Sequence, residues 1–196
     1  MSITKPLNTQ QSFASGYKSC TKIIMKAAYE VRSDAVEIGL VSLLLDCFDG
    51  IHEGRTFVKQ EPHHRLLAFS GNHLIAHLGI DFRIIRVGEE LIPISGIIDL
   101  CVHQDYRGNK LAGDLLAIAE RVSSNRDFVI LMADDNRLYR INGYLSLTNA
   151  NSKWLAIDAL HSHSVIQRDL SEIFMYKAMK NRLWPKGKID LLGYLF

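Results

Sequence analysis

The sequence predicts an α/β fold, a mixed and mostly antiparallel twisted sheet with helices on both faces. Residues 97–102 form a nearly continuous apolar run, which is typical of a strand buried on both faces. From residue 110 onward the apolar positions recur at helical spacing, and residues 127–133 form a second short apolar strand. A strand, a helix and a strand in this order place the two strands parallel, with the helix as a crossover that is expected to be right-handed.

The first half of the chain predicts one helix between a first strand and an antiparallel meander. Ser33 is a suitable N-cap, and the apolar positions that follow it recur at helical spacing as far as Cys47. The Gly71-Asn72 pair predicts a tight turn between two strands. The predicted elements are, in order, a strand at 23–31, a helix ending near 49–50, a loop at 51–64, strands at 65–70 and 73–86, a turn at 87–90 and the strand at 95–103.

The second half predicts short elements on either side of its apolar strands. Gly143 is expected to close a short helix, and Pro185, Gly187 and Gly193 are expected to break up the tail. The elements predicted after the strand at 127–133 are a helix at 136–142, strands at 144–147 and 153–159, a loop at 161–168 and a strand at 170–178.

Composition and charge predict one globular domain. The chain has 196 residues, of which 47% are hydrophobic, and its net charge is +2. This balance gives no sign of a nucleic-acid partner, and no apolar run reaches the roughly 18 residues of a membrane span. Three widely spaced cysteines indicate reduced thiols in the cytoplasm, with neither a disulfide framework nor a metal site. We expect a disordered lead-in at residues 1–22 and a single domain at residues 23–196.

The polar turn at 103–109 connects the central apolar strand to the following helix. Such a turn directs several free backbone N–H groups and the positive end of the helix dipole at one point. The turn contains Gly108, and Lys110 at its end adds positive charge. The sequence therefore predicts an anion site suited to a phosphate or pyrophosphate.

The residues of this turn resemble the acyl-CoA-binding motif of the GNAT N-acetyltransferase superfamily. The residues that match are Val102, Asp105, Tyr106, Arg107, Gly108, Leu111 and Ala112. Lys110 stands where the first glycine of the motif is usual. The resemblance implies a GNAT-type fold and acetyl-CoA as the acyl donor. It implies a donor site made of Leu100, Cys101, Val102, Arg107, Gly108, Asn109, Lys110, Leu111 and Ala112.

A second stretch, residues 136–144 (NRLYRINGY), resembles another segment of the same superfamily. Leu138, Tyr139, Gly143 and Tyr144 match its pattern. In the family the matching tyrosine lies near the CoA sulfur and protonates the departing thiolate, so the resemblance implies that Tyr139 is a general acid. Taken alone, Tyr139 would be read as an amphipathic core residue with its hydroxyl at the rim.

Within the superfamily the chain is most similar to the aminoglycoside 2'-N-acetyltransferases, over most of residues 35–196. That subgroup also places a basic residue at the position of Lys110, and its chains end on an aromatic residue shortly after a glycine, here Gly193 and Phe196. Its terminal carboxylate contacts a polyamine substrate, which implies a substrate contact for Phe196. Tyr194 departs from the subgroup, which has an acidic residue there.

The implied reaction is direct acetyl transfer to a primary amine of a small molecule, such as an amino sugar. The amine must lose a proton first, and Asp99 is the candidate base, directly or through a water. Its alternative role is a structural carboxylate at a strand irregularity. Asp49 and Asp134 are the candidate carboxylates for a cationic acceptor.

Two other functions stay open. One is a nodulation-type N-acyltransferase that uses longer acyl donors, and the other is an acyl-CoA-binding sensor without turnover.

Cys101 is interpreted as a packing residue because burial in a strand would raise its pKa. The pairs His63-His64 and His161/His163 are interpreted as surface-loop histidines, not as metal ligands. A homodimer is compatible with the resemblance.

Overall fold

The computed structural model describes residues 13–14, 21–32, 34–48, 50–158 and 161–196. In this part of the chain eleven strands form one sheet. The strands are β1 (Phe13–Ala14), β2 (Thr21–Ala27), β3 (His64–Ser70), β4 (His73–Val87), β5 (Glu90–Val102), β6 (Phe128–Met132), β7 (Leu145–Ser146), β8 (Asn151–Ile157), β9 (Ser162–Asp169), β10 (Phe174–Ala178) and β11 (Ile189–Tyr194). The α-helices are α1 (Asp34–Cys47), α2 (Leu111–Val122) and α3 (Arg137–Ile141).

The sheet is mostly antiparallel, as predicted. Its order is β1-β2-β3-β4-β5-β6-β10-β7, and β5 and β6 are parallel neighbours connected through α2. β11 pairs antiparallel with the end of β4 and parallel with β8, and β9 pairs with β8. The chain therefore returns at its end to the same part of the sheet in which the long β4–β5 hairpin lies.

Helices cover both faces of the sheet, which confirms the predicted fold class. Leu66 and Ala68 on β3 are fully buried in a core cluster with Leu115 and Leu116 of α2. Leu67, between them, is buried in a second cluster with residues of α1. Successive strand residues point to opposite faces, so one apolar run supplies both cores.

The parallel pair β5–β6 is short, and the two strands separate beyond it. Their register joins Ile94, Ser95 and Gly96 to residues 128–130, whereas β5 continues to Val102. Over residues 97–102 the edge of β5 that faces β6 has no strand partner among the described residues. Apart from the carbonyl of Val102, which accepts from Arg107, its backbone N–H and C=O groups there can pair with another molecule.

A β-bulge interrupts β5 just beyond this separation. His77 of β4 lies opposite Cys101, but Gly79 lies opposite Ile98, so β5 carries one extra residue. Asp99 has a φ of 49°, a left-handed conformation that aspartate tolerates better than most residues. The strand irregularity considered for Asp99 is therefore present.

Most predicted elements are confirmed, with ends that shift by up to about five residues, and two predictions are wrong. The predicted loop at 161–168 is strand β9, which is largely exposed and is defined by its pairing with β8 instead of by an apolar pattern. The tail is not broken at Gly193, because β11 runs through it with Ile189 and Leu191 fully buried. The first strand ends at Ala27, where a 3₁₀ turn begins.

The predicted lead-in falls mostly outside the described residues. Of its described residues, Phe13 and Ala14 pair with β2, and Thr21 and Lys22 belong to β2 itself. Where the chain is described, no helix is long and apolar enough to cross a membrane, and no group of three or more potential ligands could hold a metal ion.

The packing of α2 on the sheet predicts a large effect of truncating its buried side. Leu116 is fully buried, so Leu116→Ala should lower the free energy of unfolding by about 2–5 kcal/mol. Leu183→Ala is the matched control, because Leu183 is 91% exposed and its loss should change stability by less than about 0.5 kcal/mol. Urea unfolding of the two variants measures both values; equal effects would contradict the described packing.

Candidate active site

A cleft of about 620 Å³ opens where β5 and β6 separate. It passes through the plane of the sheet, because its walls include residues from the faces of both α1 and α2. The residues that line it are Cys47, Phe48, Leu100, Cys101, Val102, Tyr106, Arg107, Gly108, Lys110, Leu111, Ala112, Gly113, Asp135, Leu138 and Tyr139.

One end of the cleft is the turn that leads into α2. Gly108 has a φ of 79°, and Lys110, the N-cap of α2, has a φ of 59°. Lys110 makes no side-chain capping bond, so the first-turn N–H groups of α2 lack the usual side-chain acceptor. Glycine adopts this left-handed conformation without strain, whereas lysine does so at a cost of about 1–2 kcal/mol. The turn is thus formed with a lysine in place of the motif glycine.

Most of the residues predicted to bind the acyl donor lie in the walls of this cleft. Eight of the nine line it, and only Asn109 does not. The Asn109 side chain instead donates to the carbonyl of Tyr106 at 3.3 Å, which closes the turn. Arg107 donates through Nε to the carbonyl of Val102 at 3.0 Å while its side chain stays at the cleft.

Tyr139 lines the opposite wall of the cleft, on α3. Its ring meets the ring of Tyr144 edge-on, with centroids 5.9 Å apart. Burial, together with the nearby Asp135 carboxylate, raises the pKa of Tyr139 to about 12. Tyr139 therefore keeps its proton at neutral pH, which a proton donor requires.

Two cysteine thiols meet at the side of the cleft that faces α1. Cys47 ends α1, and its Sγ lies 3.7 Å from the carbonyl oxygen of Val102. A hydrogen bond from Cys101 and the nearby Arg107 guanidinium lower the pKa of Cys47 to about 6. The hydrogen bond to Cys47 and burial raise the pKa of Cys101, which agrees with its interpretation as a packing residue.

Asp99 lies beside the cleft and not in its wall. Its carboxylate is 3.6 Å from Nε2 of His52, a side chain that is 1% exposed. Its carbonyl accepts from Nδ1 of His77 at 2.9 Å. The carboxylate is 18% exposed, so a water molecule can reach it.

The candidate acceptor residues are dispersed. Asp134 is exposed, and its neighbour Asp135 lines the cleft but is held by Arg137. Phe196 packs its ring against Gly96, where a Cβ atom would lie 3.0 Å from the ring. Asp49 lies outside the described residues.

A cluster of polar and aromatic side chains holds the C-terminal segment near the point where β5 and β6 separate. Arg83 stacks on the rings of Tyr194 and Phe196 and donates to the carbonyl of Tyr194 at 2.5 Å. Arg83 also pairs with Asp81, which is 2% exposed and accepts from the Tyr194 hydroxyl at 3.2 Å. Lys59 donates to the carbonyl of Leu195. Tyr194, which departs from the subgroup, is therefore part of a packed cluster.

Sequence reasoning missed several residues of the site. Cys47, Phe48 and Gly113 line the cleft without having been singled out as ligand contacts. For Cys47 the signal was its place at the end of the apolar stripe of α1. Arg65 and His77 are both fully buried. They could have been found as polar residues within apolar strands, because a buried polar residue is the informative exception to burial patterns.

Residues 43–146 match the model of a protein family that is described as "Acetyltransferase (GNAT) domain". This match decides the family. This range is more than half of the chain and contains the cleft turn and Tyr139. The chain belongs to the GNAT acetyltransferase family. It is an acyl-CoA-dependent N-acyltransferase. A search of curated proteins finds no match to the sequence.

Solved structures show the same fold at low identity. The GNAT family N-acetyltransferase YhbS from Escherichia coli, in complex with CoA, superimposes with a TM-score of 0.59 at 16% identity, covering 90% of this chain and 93% of that one. An acyl-CoA N-acyltransferase from Pseudomonas aeruginosa gives 0.53 at 16% identity, covering 81% and 100%. Eis1 from Mycobacterium abscessus gives 0.52 at 15% identity, covering 64% of this GNAT chain and 32% of that one.

The environment of Cys47 predicts a reactive thiol in the cleft of this acetyltransferase. With its pKa near 6, Cys47 is mostly thiolate at pH 7, so iodoacetamide should alkylate it with a rate midpoint near pH 6. Peptide mapping by mass spectrometry identifies the site, and Cys47→Ser is the control. A midpoint near the pKa of about 8.5 of a free cysteine would contradict the described contacts.

Proposed function

We propose that this protein transfers an acetyl group from acetyl-CoA to a primary amine of a small molecule, with amino sugars and aminoglycosides as the first acceptor class. The observation that carries the proposal is the shape of the cleft. It joins the turn before α2, a free strand edge and a protonated tyrosine in one continuous space. These are the three contacts that an acyl-CoA needs, at its pyrophosphate, its pantetheine and its sulfur.

The turn at 107–112 supports a pyrophosphate site. The N-terminal N–H groups of α2 and its dipole favour an anion there. Arg107 and Lys110 at the same end of the cleft add two cationic side chains. Lys110 therefore adds positive charge at the position where the family motif has a glycine.

The free edge of β5 supports a pantetheine site. The N–H of His103 donates to the carbonyl of Ile75 of the β3–β4 hairpin at 2.8 Å. Because backbone groups in an antiparallel strand alternate in direction, the N–H of Val102 points away from β4, toward the cleft. The carbonyl of Asp99 accepts from His77 of β4, so the N–H of Leu100 in the same trans peptide group also points away from β4. The pantetheine amides would pair with this edge, and the thioester oxygen would accept from the N–H of Leu100.

Two side chains would then handle the protons. Tyr139 would protonate the departing CoA thiolate, because its raised pKa keeps the hydroxyl proton in place until the sulfur develops charge. Asp99 would take the proton of the amine through a water, since its carboxylate lies beside the cleft and is only partly buried. Its pairing with His52 is equally compatible with a structural role.

The acceptor would enter from the side that carries α1. Asp134, Asp49 and the carboxylate of Phe196 remain the proposed contacts for a cationic acceptor. The packing of Phe196 against Gly96 supports its part in this proposal, because Gly96 is the last residue of β5 that pairs with β6.

Calorimetry with acetyl-CoA tests the donor half of the proposal. Wild-type protein should bind acetyl-CoA, and Lys110→Gly should weaken binding at low salt while flattening its salt dependence, because one cation near the pyrophosphate is lost. The control is Lys22→Ala on β2, which removes one charge far from the turn and should leave binding unchanged. Lys153→Gly would not serve as a control, because it would disturb β8. Absent binding by folded wild type would contradict the proposal.

Replacing the proposed acid tests the chemical half. Tyr139→Phe should lower the rate of acetyl transfer by about 100- to 10,000-fold while acetyl-CoA affinity changes by less than about 3-fold. Release of free CoA, followed with a thiol reagent across a panel of aminoglycosides and other amines, measures the rate. Unchanged turnover would remove Tyr139 from the mechanism. A wild type that binds acetyl-CoA but acetylates no amine would favour the sensor, and turnover only with longer acyl chains would favour the longer-chain acyltransferase.

A further inference from the structure

Two fully buried polar side chains lie under the bulge of β5. Arg65 is 1% exposed and His77 is not exposed at all. Nη1 of Arg65 is 3.0 Å from Nε2 of His77, and Nδ1 of His77 is 2.9 Å from the carbonyl oxygen of Asp99. Nη2 of Arg65 donates to the carbonyl of Thr56 at 2.8 Å. A hydrogen-bonded chain thus runs from a buried cation to the backbone of the bulge.

The partners define the protonation state of His77. A carbonyl oxygen only accepts, so Nδ1 carries the proton; a guanidinium only donates, so Nε2 is the bare acceptor. Burial, followed by the positive charge of Arg65, lowers the pKa of His77 to about 3. His77 is therefore a neutral imidazole that passes polarisation from Arg65 to Asp99.

The bulge explains why this imidazole is needed. Asp99 is the extra residue of β5, so its carbonyl has no regular partner in the ladder with β4. A trans peptide points its C=O and its N–H in opposite directions. Holding the Asp99 carbonyl toward His77 therefore turns the N–H of Leu100, in the same peptide group, away from His77 and toward the cleft.

The charge of Arg65 indicates a role beyond packing in the core. Within the described residues Arg65 forms no ion pair with a carboxylate, and burial lowers its pKa. An apolar side chain of similar volume would avoid the large desolvation cost of a buried guanidinium. The hydrogen bonds in the chain strengthen one another in a low-dielectric interior, so Arg65 makes the Leu100 N–H a stronger donor.

We propose that Arg65 and His77 are positioning residues of the acyl-transfer site, which fix and polarise the Asp99–Leu100 peptide so that the Leu100 N–H faces the thioester oxygen. This inference rests on the proposed use of acyl-CoA in the cleft. Neither side chain touches the donor; both act through the backbone of the bulge.

The first test needs no ligand. In protein labelled with ¹⁵N-histidine, the His77 signals should show a neutral ring with the proton on Nδ1 throughout the range from pH 5 to pH 8. Titration of His77 in that range, or a proton on Nε2, would overturn the described chain. Arg65→Met should leave the Nδ1 proton in place, because the Asp99 carbonyl still accepts it.

The second test uses acetyl-CoA labelled with ¹³C at the acetyl carbonyl. Bound to wild type, its infrared carbonyl band should be shifted to lower frequency than in water, as expected for a strong hydrogen bond. In His77→Leu the band should return toward its value in water, and affinity for acetyl-CoA relative to CoA should fall by about 5-fold. His77→Asn keeps a donor for Asp99 but loses the link to Arg65, so its band should be intermediate.

Leu67→Ala is the matched control, because Leu67 pairs with His77 in the sheet and is fully buried. It should lower stability without moving the carbonyl band. If His77→Leu does not fold, His77→Asn and Arg65→Met carry the test. Acetyl-CoA that binds wild type and these variants with the same band overturns this inference alone, whereas acetyl-CoA that fails to bind folded wild type overturns the proposed function and this inference with it.

Discussion

The separation of two parallel strands is the constraint on which the rest of the structure depends. β5 and β6 pair at three positions only, ending at Gly96, and β5 then continues for six residues without that neighbour. An unpaired strand edge inside a sheet is costly unless another molecule satisfies it. The cleft, the turn before α2 and the wall formed by α3 all border this gap.

The bulge and the buried pair beneath it complete the same arrangement. Without the extra residue at Asp99, the peptide that follows would keep the alternation of a regular strand. His77 supplies the hydrogen bond that the ladder cannot give to Asp99, and Arg65 supplies a charge behind it. The two buried polar residues are therefore concentrated at the edge of the cleft, as is common at functional sites.

The C-terminal segment connects this site to a third buried cluster, which includes Ile94 of β5 and Phe128 of β6. β11 anchors the segment through Ile189 and Leu191, and Arg83 then holds Tyr194 and Phe196 above the last paired residue of β5. Gly96 permits this close approach, since a side chain there would collide with the Phe196 ring. The packing of the tail therefore depends on one glycine of β5.

The sequence by itself determined the fold class, the turn before α2 and most of the residues that line the cleft. Each of these depends on residues that are close along the chain: an apolar run, helical spacing after Lys110, and the short path from Arg107 to Ala112. Only the tertiary structure decided the strand β9, the pairing of Cys47 with Cys101, and the Arg65–His77–Asp99 chain. The cysteine contact and the Arg65–His77–Asp99 chain join different elements, which strand register and burial bring together and no local pattern encodes. β9 is a local hairpin partner of β8, but its largely exposed residues carry no apolar alternation that would mark it as a strand.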